Sequence, residues 1–224
     1  PVRAYTSGFD VFAAKLDSSG NLTWNTFLGG SGNSDYGLAI AVDSSGNVYI
    51  SGYSNADWGS PVRAYASGRD AFAAKLDSSG NLTWNTFLSG SGDDYSYAIA
   101  VDGSGNVYIG GQSEATWGLP VRAYTGYDAF AAKLNSSGAL TWNTFLGGSG
   151  SDHDYGLAVD GSGNVYVGGY SNATWGSPVQ SYTSGDDALA AKLDLNGNFQ
   201  PAWASYNDSG RTVAYETFAS PETH

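Results

Sequence analysis

One unit, two apolar runs around a polar turn, recurs through the chain and constrains its fold more than any other feature. Residues 38–42 and 48–53 flank the turn Asp43-Ser44-Ser45-Gly46-Asn47. The same arrangement surrounds Asp102 and Asp160, so the turn aspartates stand 59 and 58 residues apart. A fixed period of this kind marks a repeat architecture, in which units too small to bury their own apolar faces stack on one another. A second hairpin falls between successive turns. It pairs residues 70–76 with 82–88 around Asp77-Ser78-Ser79-Gly80-Asn81. It is preceded by 10–16 with 22–28, and followed by 128–134 with 140–146 and, more loosely, by 187–193 with 199–206. Such turns predict hairpins, because glycine takes the positive φ angle and the leading aspartate accepts hydrogen bonds from the turn's own amides.

Each period therefore predicts four short strands: a (38–42), b (48–53), c (70–76) and d (82–88). No segment carries a helical period, and turn signals recur at short intervals, so the chain reads as all-β. Four strands per tandem repeat is the sequence form of a β-propeller blade. Strand a is the most uniformly small and apolar (Ala39, Ala41, Ala98, Ala100, Ala158), which suits the crowded axis. Strand d carries Trp24, Trp84 and Trp142 and belongs on the wide rim.

The whole chain, 1–224, reads as a single propeller domain, with a partial repeat at 1–37 and repeats at 38–96, 97–156 and 157–224. It opens with c and d alone. Three four-stranded blades follow at 38–88, 97–146 and 157–206, and residues 211–218 supply a further candidate for strand a. The leftover pieces at the two ends are complementary parts of one blade. Three closures stay open: a four-bladed ring within one chain, a ring of seven or eight blades shared by two chains, and a head-to-tail filament.

Several motifs recur in fixed order: Asp-Ala-Phe-Ala-Ala-Lys-Leu (70–76), Leu-Gly-Gly-Ser-Gly (146–150) and Ala-Val-Asp-Gly-Ser-Gly-Asn-Val-Tyr-Val-Gly-Gly (158–169). Together they resemble the bacterial β-propeller repeat family called SBBP, over about residues 9 to 200, and the a–b hairpin is similar to NHL-type blades. The resemblance implies a propeller in a bacterial envelope or extracellular setting, and it supplies no catalytic residues. The chain departs from the family's pattern in the b–c loop, where Trp58-Gly59-Ser60-Pro61-Val62-Arg63 replaces a shorter connection.

Composition narrows the function classes. Net charge is −12, with 9 basic against 21 acidic residues. That excludes the clustered Lys and Arg that nucleic acid or an anionic membrane surface requires. No apolar run reaches the roughly 18 residues of a membrane helix. Cysteine is absent, so there is neither a disulfide framework nor a thiolate site. An acidic, cysteine-free chain rich in Ser, Thr, Gly, Asn and Tyr fits an exported or cell-surface protein. Methionine is also absent, even at position 1, which is expected of a mature product or an excerpt of a longer chain.

Three kinds of site are candidates. The tryptophans Trp58, Trp117 and Trp175 recur in the b–c loops, each followed by Gly and then by Pro-Val, with Arg63 and Arg122 behind the first two, Arg3 in the matching place of the partial repeat, and Gln180 in the last. Either these rings fold their loops down on the blade, or they offer aromatic faces beside a polar rim to a glycan. For metal, the turns with one aspartate each hold too few carboxylates for calcium and read as turn caps. Asp93 and Asp94, and Asp152 and Asp154 around His153, are the better calcium candidates, against the alternative of solvated loops. For catalysis, the two histidines, His153 and His224, belong to no recurring serine–histidine–acid trio, and the chain reads as non-catalytic, with no cofactor. The triplets starting at Asn21, Asn81, Asn135, Asn172 and Asn207 match the N-glycosylation pattern, though most coincide with turns that use Asn. The function expected is an extracellular adhesion or recognition module, with a glycan or a cell-surface protein as partner. The alternative is a structural subunit that self-associates by blade completion.

Overall fold

The computed structural model describes residues 1–31, 33–200 and 205–207. Fifteen strands follow one another: β1 (Gly8–Phe9), β2 (Val11–Leu16), β3 (Leu22–Leu28), β4 (Asn33–Val42), β5 (Val48–Ser54), β6 (Asp70–Leu76), β7 (Leu82–Leu88), β8 (Asp94–Val101), β9 (Val107–Ser113), β10 (Asp128–Leu134), β11 (Leu140–Leu146), β12 (Asp152–Val159), β13 (Val165–Ser171), β14 (Asp187–Leu193) and β15 (Ser205–Asn207). No helix occurs among the described residues, and the fold is all-β. The hairpin β2–β3 stands first. Antiparallel sheets β4-β5-β6-β7, β8-β9-β10-β11 and β12-β13-β14-β15 come next, in chain order across each sheet. Strand c of the full repeats matches the expected ranges, as does strand d of the first two; in the last repeat the described strand d is β15 (Ser205–Asn207), at the end of the expected 199–206. Strand a is longer, because β4, β8 and β12 run back through the acidic segments expected to be loops.

Each hairpin turn is built by its leading aspartate. In the a–b turn of the third sheet, Asp102 accepts from the amides of Ser104 and Asn106 (both 2.9 Å), from the Asn106 side chain (2.8 Å) and from the Tyr108 hydroxyl (3.1 Å). Asp43 and Asp160 repeat the pattern, which holds both carboxylates below their ordinary pKa despite partial burial. These aspartates are turn caps.

The sheets pack face to face. One core lies between the hairpin and the second sheet, around Val11, Leu28, Ile50 and Phe72. Another joins the second and third sheets, around Tyr49, Trp84, Ile109 and Phe130. A third joins the third and fourth, around Tyr108, Trp142, Val167 and Leu193. Tryptophans of the d strands pin each junction. Trp24, Trp84 and Trp142 donate their indole N–H to the carbonyls of Ser78, Ser136 and Leu195, each in the c–d turn of the next sheet. The rings lie over Gly80, Gly138 and Gly197. A Cβ at those glycines would stand 2.7–2.8 Å from the nearest indole atom, and their φ angles are positive, so the turn geometry and the close approach both require glycine.

A backbone link reinforces each junction. The amides of Asp94 and Asp152, opening β8 and β12, donate to the carbonyls of Arg69 and Tyr127, the residues just ahead of β6 and β10 in the preceding sheets (2.6 and 2.7 Å). In the first repeat the same link widens into β1, which pairs parallel with the start of β4. The sequence reading placed no strand there.

Among the described residues no ring is closed. No strand pairing among the described residues joins the hairpin β2–β3 to the fourth sheet. The candidate closing strand at 211–218 lies outside the described residues, as does His224. The inner part of the second sheet is left uncovered where a complete neighbour would lie: Ile40 and Val42 are exposed, whereas the equivalent Ile99 and Val101 pack into the next junction.

Candidate functional site

The loop tryptophans are not a surface platform. Trp58, Trp117 and Trp175 are each only 4% exposed. Trp58 meets Phe72 and Phe87 edge-on at 5.3 and 6.0 Å, and Trp117 meets Phe130 and Phe145 at 5.3 and 5.8 Å. Both aromatic contacts hold the long b–c loop down on its own sheet, and the Trp58 and Trp117 carbonyls are tied by the side chains of Asn85 and Asn143 (2.8 Å each). The physical reason is area: an indole buries enough apolar surface to anchor a loop that has few other apolar residues. Arg63 and Arg122 are committed as well. Arg63 donates to the carbonyls of Phe87 and Ser89, and Arg122 to those of Phe145 and Gly147. Their guanidinium groups lie 5.7 and 5.3 Å from the centres of Trp117 and Trp175, the loop anchors of the following sheets. Arg3 makes the same pair of contacts, to Phe27 and Gly29. A glycan platform on these residues is therefore corrected to a loop anchor.

The calcium candidates do not converge either. Asp93 pairs with Arg69 (3.1 Å) and accepts from the Tyr95 hydroxyl. Asp94 is buried, taking the Ser113 hydroxyl and the Gly90 amide, and Asp152 repeats this with Ser171 and Gly148. Asp154 is buried beside Gly110, with the Gly156 amide as its donor and no partner for Oδ2 among the described residues. Among the described residues no three acidic or histidine side chains form a metal-holding group. Burial dominates their electrostatics. It pushes Asp94 up to about 7, with nearby Asp70 adding to the rise, and Asp128 up to about 6. Asp154 is driven well above the usual carboxylate range, also by burial. The sequence reading of these segments as loops missed that they open strands whose side chains turn into the sheet junctions.

The structure instead brings together rings that the sequence reading did not group, His153 being the one of them it weighed as a site residue. Tyr36, Tyr95 and His153 occupy one repeat position, seven residues before each a–b turn aspartate. With Tyr53 and Tyr170 on the b strands they form an aromatic row across three sheets. Phe9 stacks on Tyr36 (5.8 Å) and Tyr36 on Tyr53 (4.8 Å). Tyr53 meets Tyr95 edge-on (4.9 Å), Tyr95 lies parallel to Tyr97 (6.1 Å), and Tyr97 tilts against Tyr155 (5.2 Å). His153 stacks on Tyr170 (4.5 Å) to end the row. Phe9, Tyr36 and Tyr155 are exposed, and the other rings are half-buried. Burial raises the phenols of Tyr53, Tyr95 and Tyr97, and brings Tyr170 to about 12, so these hydroxyls stay neutral donors. Burial lowers His153, which keeps its imidazole neutral at pH 7. Polar groups flank the row: Arg69 bonds the Tyr95 hydroxyl (2.8 Å), and Glu114 accepts from Tyr127 (2.6 Å). The arrangement offers aromatic faces and edges beside carboxylates and a guanidinium. It can bind and orient a ligand, and no nucleophile–base pair lies within it.

Comparison with known families finds a β-propeller repeat model, SBBP, matching residues 23–57, 84–116 and 141–174. Each match runs from strand d of one sheet through strands a and b of the next, so it spans a junction. No curated protein matches the chain.

Proposed function

Since the chain belongs to the SBBP β-propeller repeat family, we propose that it is a non-catalytic recognition module of the cell surface or extracellular space, and that it binds carbohydrate along the aromatic row. The row is the observation that carries this reading. The C–H face of a pyranose carries partial positive charge and lies favourably on the electron-rich face of an aromatic ring. Hydroxyls around the sugar's edge match the carboxylates of Asp93 and Glu114 and the Arg69 guanidinium that flank the row. The acidic surface and the absence of cysteine support an exported setting.

The test is binding on a broad glycan array, followed by titration of any hit against Tyr36→Ala and Tyr155→Ala. Both side chains are exposed, so the variants should keep their melting temperature. Loss of binding by at least about tenfold in each is expected, the weight of one aromatic contact. Arrays without a hit, or a hit indifferent to both substitutions, would reject the row as the site. A second reading, a subunit that assembles with other copies, is favoured by a separate observation: Phe12, Leu16 and Leu22 stand bare on the first hairpin.

A further inference from the structure

The hairpin β2–β3 turns one face to the second sheet and the other to solvent. On the outer face Phe12, Leu16 and Leu22 are 70%, 58% and 59% exposed. The repeat equivalents of Phe12, which are Phe72 and Phe130, are fully buried under the preceding sheet. The c–d turn repeats the contrast. Gly80, Gly138 and Gly197 each lie under a tryptophan of the preceding sheet, whereas Gly20, with the same positive φ, has nothing within 4 Å. The hairpin thus carries an apolar face and an indole seat of the same make as those filled at the internal junctions. At the other end of the stack the fourth sheet shows the opposite face. Ala158 and Ala190 are exposed there, while the equivalent Ala131 of the third sheet is buried in the junction.

We propose that the outer face of the hairpin β2–β3 docks the outward face of the fourth sheet of a second copy of this chain. The occupant follows from the repeat. The internal junctions already join these two kinds of face, so a further junction between copies continues an interface the chain makes within itself. Two copies joined head to tail can form the contact twice and close a ring, without exchanging strands. The inference rests on the assembly reading and is independent of the carbohydrate reading.

The experiment measures the mass of the 224-residue chain by sedimentation over about 1–100 μM, a range that brackets ordinary dimer affinities. Mass should rise from 23.2 kDa towards about 46 kDa, twice that value. Phe12→Asp with Leu16→Asp should weaken association by at least about a hundredfold, as expected of central apolar anchors. Ala190→Arg on the opposite face should do the same. Both sites are exposed in the single chain, so unchanged melting temperatures confirm that the variants fold. An equimolar mixture of the Phe12/Leu16 variant with the Ala190 variant retains one intact junction and should regain dimers at the top of the range. A mass of 23.2 kDa throughout would overturn both the inference and the assembly reading. Association that survives the substitutions, or a mixture that stays monomeric, would overturn this pairing of faces while leaving assembly by another surface standing.

Discussion

Truncating Trp117 to alanine separates a loop anchor from a ligand platform. The ring is 4% exposed, meets Phe130 and Phe145 edge-on, lies under the Arg63 guanidinium, and donates its N–H to Ser113 Oγ at 3.2 Å. Removing a large buried aromatic side chain costs about 3–5 kcal/mol, part of it from the cavity left behind. Domains of this size have about 5–15 kcal/mol in all, so the loss is a large share of the total. At about 2–4 °C per kcal/mol, the melting temperature should fall by about 6–20 °C. Thermal and urea unfolding followed by circular dichroism read the change. A Trp117→Ala protein that melts within about 2 °C of the parent yet loses ligand would refute the anchor and restore the loop as a binding surface.

Two further substitutions test the buried carboxylates. Asp94, at about 7, and Asp128, at about 6, hold protons in the folded state that the unfolded chain, with its ordinary value of 3.8, has already released. The folded state therefore binds more protons between about pH 4 and 7, and stability falls as pH rises through that window. Urea midpoints at about pH 5 and pH 8 should show the fall, and Asp94→Asn should shrink it; an unchanged difference would show that Asp94 ionises as freely as in the unfolded chain. Asp154 stands where the other repeats have Gly37 and Ser96, and its carboxyl is buried, with no hydrogen-bond partner for Oδ2 among the described residues. Asp154→Ser should raise stability by about 1–3 kcal/mol, measured by urea unfolding at neutral pH, and a loss would mean that the carboxyl has a partner that serine cannot replace.

Much of the fold was legible because hairpin chemistry is local. The turns from Asp77 to Asn81 and from Asp102 to Asn106 fix their own conformation, so strands such as β6 and β7 fall where the pattern places them. The start of strand a was not legible. Asp94 and Asp152 are polar residues that read as loop, and only a Ser hydroxyl on the adjacent strand b together with a backbone carbonyl from the preceding sheet makes them strand. The loop tryptophans show the same limit. Whether an indole such as Trp58 is a platform or an anchor depends on Phe72 and Phe87 beneath it, which the chain brings there by folding. The aromatic row left a faint trace, an aromatic residue seven positions before each turn aspartate. Its meaning emerges only when Tyr36, Tyr95 and His153, from three repeats, are set side by side.

The stacking of one repeat on the next is tested most directly by proton NMR of the turn glycines. Ring currents from Trp24, Trp84 and Trp142 should shift the Hα protons of Gly80, Gly138 and Gly197, and cross-relaxation should link each of these turn glycines to its indole, 56, 54 and 55 residues away in the chain respectively. Gly20, in the monomeric Phe12→Asp, Leu16→Asp protein, should show neither effect. Three unshifted glycines without cross-peaks to the tryptophans would contradict the junctions on which the whole assignment of faces depends.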